Sequence, residues 1–169
     1  AKGWESAQPH LSMINDVIIA LAHNGTLVNF DSLRHELIEM GIPFRSNTDS
    51  EVAAKLIGYF TQRGHRLRTG IAHTMRMLEG GYAMVLVREN ALYAFRDPHG
   101  IRPLVLGKLD DGAGWVVASE TCALDIAGAD QHRRPNGTQP DARRRLAMPF
   151  LRHRKRVSAC QQEEKRQKR

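Results

Sequence analysis

Two cysteines in 169 residues, Cys122 and Cys160, are too few for a disulfide framework, and neither has a C-x-x-C partner. That excludes a small secreted scaffold held by bridges and fits a reducing compartment. Long apolar runs are missing too. The longest, Val17-Ile18-Ile19-Ala20-Leu21-Ala22, falls far short of the roughly 20 residues a membrane helix needs. No secretory apolar region opens the chain, because Ala1 to His10 is polar and contains Pro9. A soluble protein of the cytoplasm is the expectation. His23, His35, His65, His73 and His99 form neither an H-x-x-x-H nor an H-E-x-x-H pattern, so no metal is assigned. Gly80-Gly81 precedes a strand with no Gly-Lys-Ser/Thr after it, which excludes a phosphate loop. Ser50 and Ser119 lack a nearby base pattern for serine hydrolase chemistry. Cys122, in an apolar helix, is expected to be a buried, inert thiol.

What is present is unevenly charged. The net charge of +7 resides in the tail: residues 131–169 carry 13 of the 25 Lys and Arg but only 3 of the 18 Asp and Glu. Residues 1–130 are mildly acidic, with 12 basic and 15 acidic side chains. Apolar content of 41% and charged content of 25% are ordinary for a globular domain, and the length suits one domain with a tail. The division falls at residue 130, with a domain over 1–130 and a basic, disordered tail over 131–169. In the tail, Arg clusters alternate with Pro, Gln and His, and only Leu146 to Leu151 offers apolar material, too little to offset the ordering entropy.

Val17 to His23 is expected as a buried strand running into a tight turn at Asn24-Gly25. Phe30, Leu33, Leu37 and Ile38 recur at helical spacing, with Asn29 as N-cap and Gly41 and Pro43 as the stop. Thr48-Asp49-Ser50-Glu51 has the form of a capping box and opens a second helix ending near Gly64. A third helix is expected from about Gly70 to Leu78. The period then changes to two. Tyr82 to Val87 and Leu92 to Arg96 form a hairpin through Glu89-Asn90, and Arg96 to Gly100 is a loop. Leu104 to Leu109 and Trp115 to Ala118 form another hairpin, and Ser119 caps a short helix to about Ala127. Helices followed by antiparallel strands indicate an α+β layered domain.

Two segments carry chemistry. Asn24-Gly25 suits a hairpin turn, because both residues tolerate positive φ. Taken alone it reads first as that turn; the functional reading is an oxyanion hole, with the Asn24 amide and the Gly25 backbone N–H converging on an oxygen that becomes negative. Asp49 suits the first turn of a helix on dipole grounds. Taken alone it reads first as that helix-start acid; the functional reading is a carboxylate that receives the α-ammonium of an amino-acid substrate.

Taken together, several stretches resemble one family. They are Trp4 to Pro9, Ala22-His23-Asn24-Gly25-Thr26-Leu27-Val28-Asn29, Asn47-Thr48-Asp49-Ser50-Glu51, Arg96-Asp97-Pro98-His99-Gly100-Ile101-Arg102-Pro103-Leu104, and Trp115 to Asp125. The chain is similar to the glutaminase domain of the amidophosphoribosyltransferases, class II glutamine amidotransferases of the N-terminal-nucleophile hydrolase superfamily. The resemblance runs from Gly3 to Asp130. It implies an incomplete four-layer α-β-β-α sandwich, with Asn24 and Gly25 as oxyanion donors and Asp49 as the glutamine-ammonium ligand. In the intact family, an N-terminal cysteine thiolate attacks the glutamine amide, and the ammonia displaces pyrophosphate from phosphoribosyl pyrophosphate. Phosphoribosylamine results, in the first committed step of purine synthesis. Intact members are homo-oligomeric, use magnesium in the transferase domain and sometimes carry an iron–sulfur cluster; no cofactor is expected in this chain.

Departures from the family set further expectations. The family begins Cys-Gly, whereas Ala1-Lys2-Gly3-Trp4-Glu5 matches an interior segment. The nucleophile region and the Arg-Tyr-Ser-Thr segment that receives the substrate carboxylate are therefore expected to be missing, and the chain to be inactive alone. The segment Gln131 to Arg169 departs from the family and is expected to be a shifted reading frame or an unrelated extension. The alternative to a glutaminase fragment is a non-catalytic protein whose Arg-rich tail binds nucleic acid non-specifically. An acidic body with no basic groove counts against that alternative.

Overall fold

The computed structural model describes residues 3–14, 17–109, 114–131 and 151–152. After a short 3₁₀ turn at Trp4–Ser6 come β1 (His10–Ile14), β2 (Val17–Leu27), α1 (Phe30–Glu39), α2 (Asp49–Gln62) and α3 (Leu67–Met77). Then follow β3 (Gly80–Arg88), β4 (Ala91–Arg96), β5 (Val105–Leu109), β6 (Trp115–Ala118), α4 (Thr121–Ile126), β7 (Ala129–Gln131) and β8 (Leu151–Arg152). The strands form an antiparallel five-stranded sheet, β1-β2-β3-β4-β8, and an antiparallel three-stranded sheet, β6-β5-β7.

Side chains alternate across the first sheet, and one face is buried under the helices. Ile19, Leu21 and Leu27 of β2, Tyr82, Met84 and Leu86 of β3, and Phe95 of β4 pack with Leu33 and Leu37 of α1. Val52, Leu56 and Ile57 of α2 and Leu67 and Ile71 of α3 complete this core. On the other face Ala83 and Ala94 are buried, and the end toward β1 is exposed among the described residues. Leu11, Met13, Ile18 and Val87 are 45–59% exposed, and the register makes them neighbours through Met13↔Ile18, Leu11↔Ala20 and Ala20↔Val87. Helix α4 packs on the second sheet.

Several local expectations change. β2 does not turn at Asn24-Gly25; it continues to Leu27, because β3 pairs it throughout, with Asn24↔Ala83, Gly25↔Tyr82 and Thr26↔Gly81. Asn29 occupies the N-cap position of α1 without capping it. Its amide instead donates to Met77 O (2.7 Å) and accepts from Glu79 N (3.1 Å), tying α1 to the end of α3. Helix α3 starts a turn before Gly70, which lies inside it because a Cβ there would meet Thr61 Oγ1 of α2 at 2.6 Å. Glu120, not Ser119, precedes α4. Cys122 is exposed, not buried, because it faces away from the second sheet, which Leu124 packs against. β7 has no counterpart among the elements expected from sequence. Of the segment 131–169, Leu151–Arg152 pairs with Ala91–Leu92 at the edge of the first sheet, and the remainder, beyond Gln131, lies outside the described residues. Among the described residues, no helix is long and apolar enough to cross a membrane.

Candidate functional site

The site lies along the β1-side edge of β2, where β1 has stopped pairing. The β1–β2 register ends at His10↔Leu21. Beyond it, polar side chains take over the strand's role. The Gln8 carboxamide accepts from His23 N (2.5 Å) and donates to His23 O (2.8 Å), as a neighbouring strand residue would. Asp49 Oδ2 accepts from Leu27 N at 3.0 Å. In an antiparallel strand, backbone groups point alternately to the two neighbours. Residues 23 and 27 therefore address this edge, and Gly25, between them, turns its N–H the same way. Among the described residues, none of the β1 register reaches it.

Gly25 has φ +145°, and a Cβ there would meet Gly81 O at 2.2 Å and Tyr82 Cα at 2.8 Å. Only glycine lets β2 and β3 approach this closely. The glycine is thus accounted for by strand packing in the absence of a turn. Asn24 is exposed, and by alternation its side chain leaves β2 on the face opposite His23. Gly25 and Asp49 thus share one edge, while the Asn24 side chain stands on the adjoining face.

Asp49 is held by the start of α2. Thr48 Oγ1 accepts from Glu51 N (3.3 Å), so the cap forms as expected. The reciprocal half of the capping box does not. The Glu51 carboxylate turns to the preceding loop, accepting from Ser46 Oγ (2.6 Å), Ser46 N (2.7 Å) and Arg45 N (3.0 Å). Burial pushes the Glu51 pKa up, but these bonds outweigh it and hold the carboxyl below its ordinary range. Thr48 Oγ1 also meets His10 Nε2 of β1 at 2.9 Å, joining the helix start to the sheet.

His23 fills the space beneath. Its Nδ1 lies 3.0 Å from Ser50 Oγ and 3.6 Å from Asp49 Oδ1, and Ser50 Oγ donates to Asp49 Oδ1 at 3.3 Å. Sequence spacing gave no sign of a base beside Ser50, because 27 residues separate it from His23. The trio is not a hydrolytic triad. There the base would meet the serine and the acid through different ring nitrogens. Here both contacts fall on Nδ1, and Ser50 is buried.

The loop after β4 closes the far side. Asp97, 1% exposed, accepts from His99 N (2.9 Å) and Ile101 N (3.0 Å) on Oδ1, and from Tyr82 N (3.2 Å) and Arg102 N (3.2 Å) on Oδ2. Burial raises its pKa, and the four N–H donors more than reverse that, leaving it below the usual carboxylate range. Burial, and then the Asp97 charge, push the Tyr82 phenol up to about 12. Tyr82 is the register partner of Gly25, so one carboxylate ties the loop to the strand that backs the site. Among the described residues, no group of three or more His, Cys, Asp or Glu side chains is placed to hold a metal ion.

Comparison with known proteins agrees with this architecture. Residues 2–125 match the family described as "Glutamine amidotransferase domain". The amidophosphoribosyltransferase of Staphylococcus epidermidis is 40% identical over 129 residues, covering 76% of this chain and 26% of that protein. That of Bacillus subtilis is 42% identical over 131 residues, covering 75% of this chain and 26% of that protein. The solved glutamine phosphoribosylpyrophosphate amidotransferase from B. subtilis, complexed with ADP and GMP, superposes with a TM-score of 0.70 at 41% identity. That superposition covers 79% of this chain and 29% of the other. The chain therefore spans about a quarter of the length of the curated relatives it matches.

Proposed function

Because this chain belongs to the glutamine amidotransferase domain family, we propose that the β2 edge and the start of α2 form the ammonium-binding and oxyanion side of a glutamine site. The protein of which this site is part would transfer the glutamine amide nitrogen to phosphoribosyl pyrophosphate, giving phosphoribosylamine in a cytoplasmic pathway of purine synthesis. Its relatives' names and the 40% identity of its body support that reading.

The observation that carries the proposal is the alignment of Gly25 N–H and the Asp49 carboxylate along one strand edge, spaced by Leu27 N, which Asp49 itself engages. Asp49 takes the substrate ammonium. Gly25 N–H and the Asn24 amide face the side-chain carbonyl, whose oxygen becomes negative when a nucleophile adds to the amide. Donors fixed before the reaction need no reorganisation as charge develops, and one of them is typically worth about a hundred- to a thousandfold in rate. We assign no nucleophile among the described residues: Cys122 is exposed on α4, the helix that packs on the second sheet. The 169-residue chain alone is expected to release no ammonia from glutamine, and ammonia release above a heat-inactivated control would contradict this.

Calorimetric titration of the full chain tests the binding half. Glutamine should bind saturably, Asp49→Asn should weaken it about tenfold or more, and an amide lacking the α-amine should bind no better than it does to the variant. Equal affinity of both ligands, or an Asn variant with unchanged affinity, would overturn the assignment.

A further inference from the structure

The proposed chemistry leaves His23 without a part, although its side chain is only 1% exposed and lies within 3.6 Å of Asp49. We propose that His23 is a positioning residue for Asp49. Its Nδ1–H, relayed by the Ser50 hydroxyl, orients the carboxylate, and the ring, neutral with Nε2 unprotonated, adds no cation of its own to compete for Asp49. The inference rests on the glutamine reading of Asp49 given above.

The hydrogen inventory fixes the direction of the relay. Gln8 Oε1 accepts from His23 N, so the other end of that carboxamide is the donor, and Gln8 Nε2 reaches both His23 O (2.8 Å) and Ser50 Oγ (3.4 Å). Ser50 Oγ therefore accepts from Gln8. We assign its single hydrogen to Asp49 Oδ1 at 3.3 Å, an ionised carboxylate being able only to accept. The 3.0 Å contact between Ser50 Oγ and His23 Nδ1 then requires the proton on Nδ1. Nε2 is left with its lone pair, buried and without a hydrogen-bond partner among the described residues.

A second proton on Nε2 would be enclosed with no acceptor among the described residues, which is costly. The charges around the ring come from each element packed on it. Asp49 of α2 favours the imidazolium, while Arg102 of the loop after β4 and His10 of β1 disfavour it. Burial is the largest influence, and the net direction is a pKa below the ordinary 6.5. The ring is thus neutral at neutral pH, and Asp49 keeps its charge for the substrate. Were His23 protonated, an imidazolium 3.6 Å from Asp49 Oδ1 would neutralise the carboxylate that the ammonium must find.

The test combines ¹⁵N-histidine NMR of the full chain with glutamine titrations across pH, for the unmodified protein, Ser50→Ala and His23→Asn. His23 should show the neutral Nδ1–H tautomer near neutral pH. Ser50→Ala should lose that preference and bind glutamine about three- to tenfold more weakly, the worth of one relayed hydrogen bond. His23→Asn, which places an amide N–H where Nδ1–H was, should retain affinity and lose its decline on acidification. In the unmodified chain that decline should share its midpoint with the His23 titration. An Nε2–H tautomer, or unchanged affinity in Ser50→Ala, overturns the positioning role while leaving the glutamine reading intact. Absence of saturable glutamine binding by the unmodified chain at every pH overturns that reading, and this inference with it.

Discussion

Replacing Asp97 by Asn exchanges one carboxylate oxygen for an NH₂ group at a buried side chain that accepts four backbone hydrogen bonds. Oδ1 serves His99 N and Ile101 N, and Oδ2 serves Tyr82 N and Arg102 N. Asparagine has a single acceptor oxygen. Either orientation satisfies one pair and turns two hydrogens toward the other pair. Hydrogen bonds to a charged acceptor are worth about 1.5–3 kcal/mol each, and losing two of them is partly offset by the lower cost of burying a neutral group. The expected loss is about 2–4 kcal/mol, enough to lower the melting temperature by roughly 10 °C in a domain of this size. Urea and thermal unfolding of the full chain, followed by circular dichroism, measure it. The pH dependence gives a second check. The folded pKa of Asp97 is depressed, so its contribution is fully present above the unfolded carboxylate pKa and is lost as pH falls through the folded value. The gap between the unmodified and Asn proteins should therefore narrow on acidification. A stability difference under about 0.5 kcal/mol, or one that does not change with pH, would refute the reasoning.

Gly25→Ala should destabilise by about 3 kcal/mol or more, because its Cβ meets β3 backbone at 2.2 Å and the residue has φ +145°. An Ala variant with an unchanged urea midpoint would contradict this. The exposed end of the first sheet's other face, with Leu11, Met13, Ile18 and Val87 exposed side by side, should bind an apolar dye and favour association. Leu11→Thr with Ile18→Thr should reduce both while changing the melting temperature little. A large loss of stability in that double variant would show instead that the two side chains belong to a packed core.

The elements legible in the sequence were those with a sustained period or a strong cap. Phe30, Leu33 and Leu37 gave α1, Thr48 gave the start of α2, and Glu89-Asn90 placed the β3–β4 hairpin; Glu89 indeed has φ +44°. What failed depended on partners distant in the chain. Asn24-Gly25 has the composition of a turn, and only the pairing with Gly81 and Tyr82 keeps it in a strand. Asn29 has the composition of a cap, but Met77 and Glu79 claim its amide. Ser50 showed no base, because His23 reaches it across the β2–α2 interface. Asp97 was visible as a loop residue and as part of a family stretch, but not as the acceptor that ties its loop to β3, because its fourth donor, Tyr82, lies 15 residues behind. Gly25 and Asp49 were singled out by local chemistry and by family resemblance, and the sheet edge that brings them together was not visible in either.

The most direct test of the account is amide NMR of the uniformly ¹⁵N-labelled chain during addition of glutamine. The Gly25 and Leu27 amides should shift together along one saturation curve, Gly25 as the donor to the substrate carbonyl and Leu27 through its bond to Asp49, and Asp49→Asn should move both responses to about tenfold higher glutamine or beyond. Saturable binding that leaves these two amides unmoved and shifts a different surface would contradict the account.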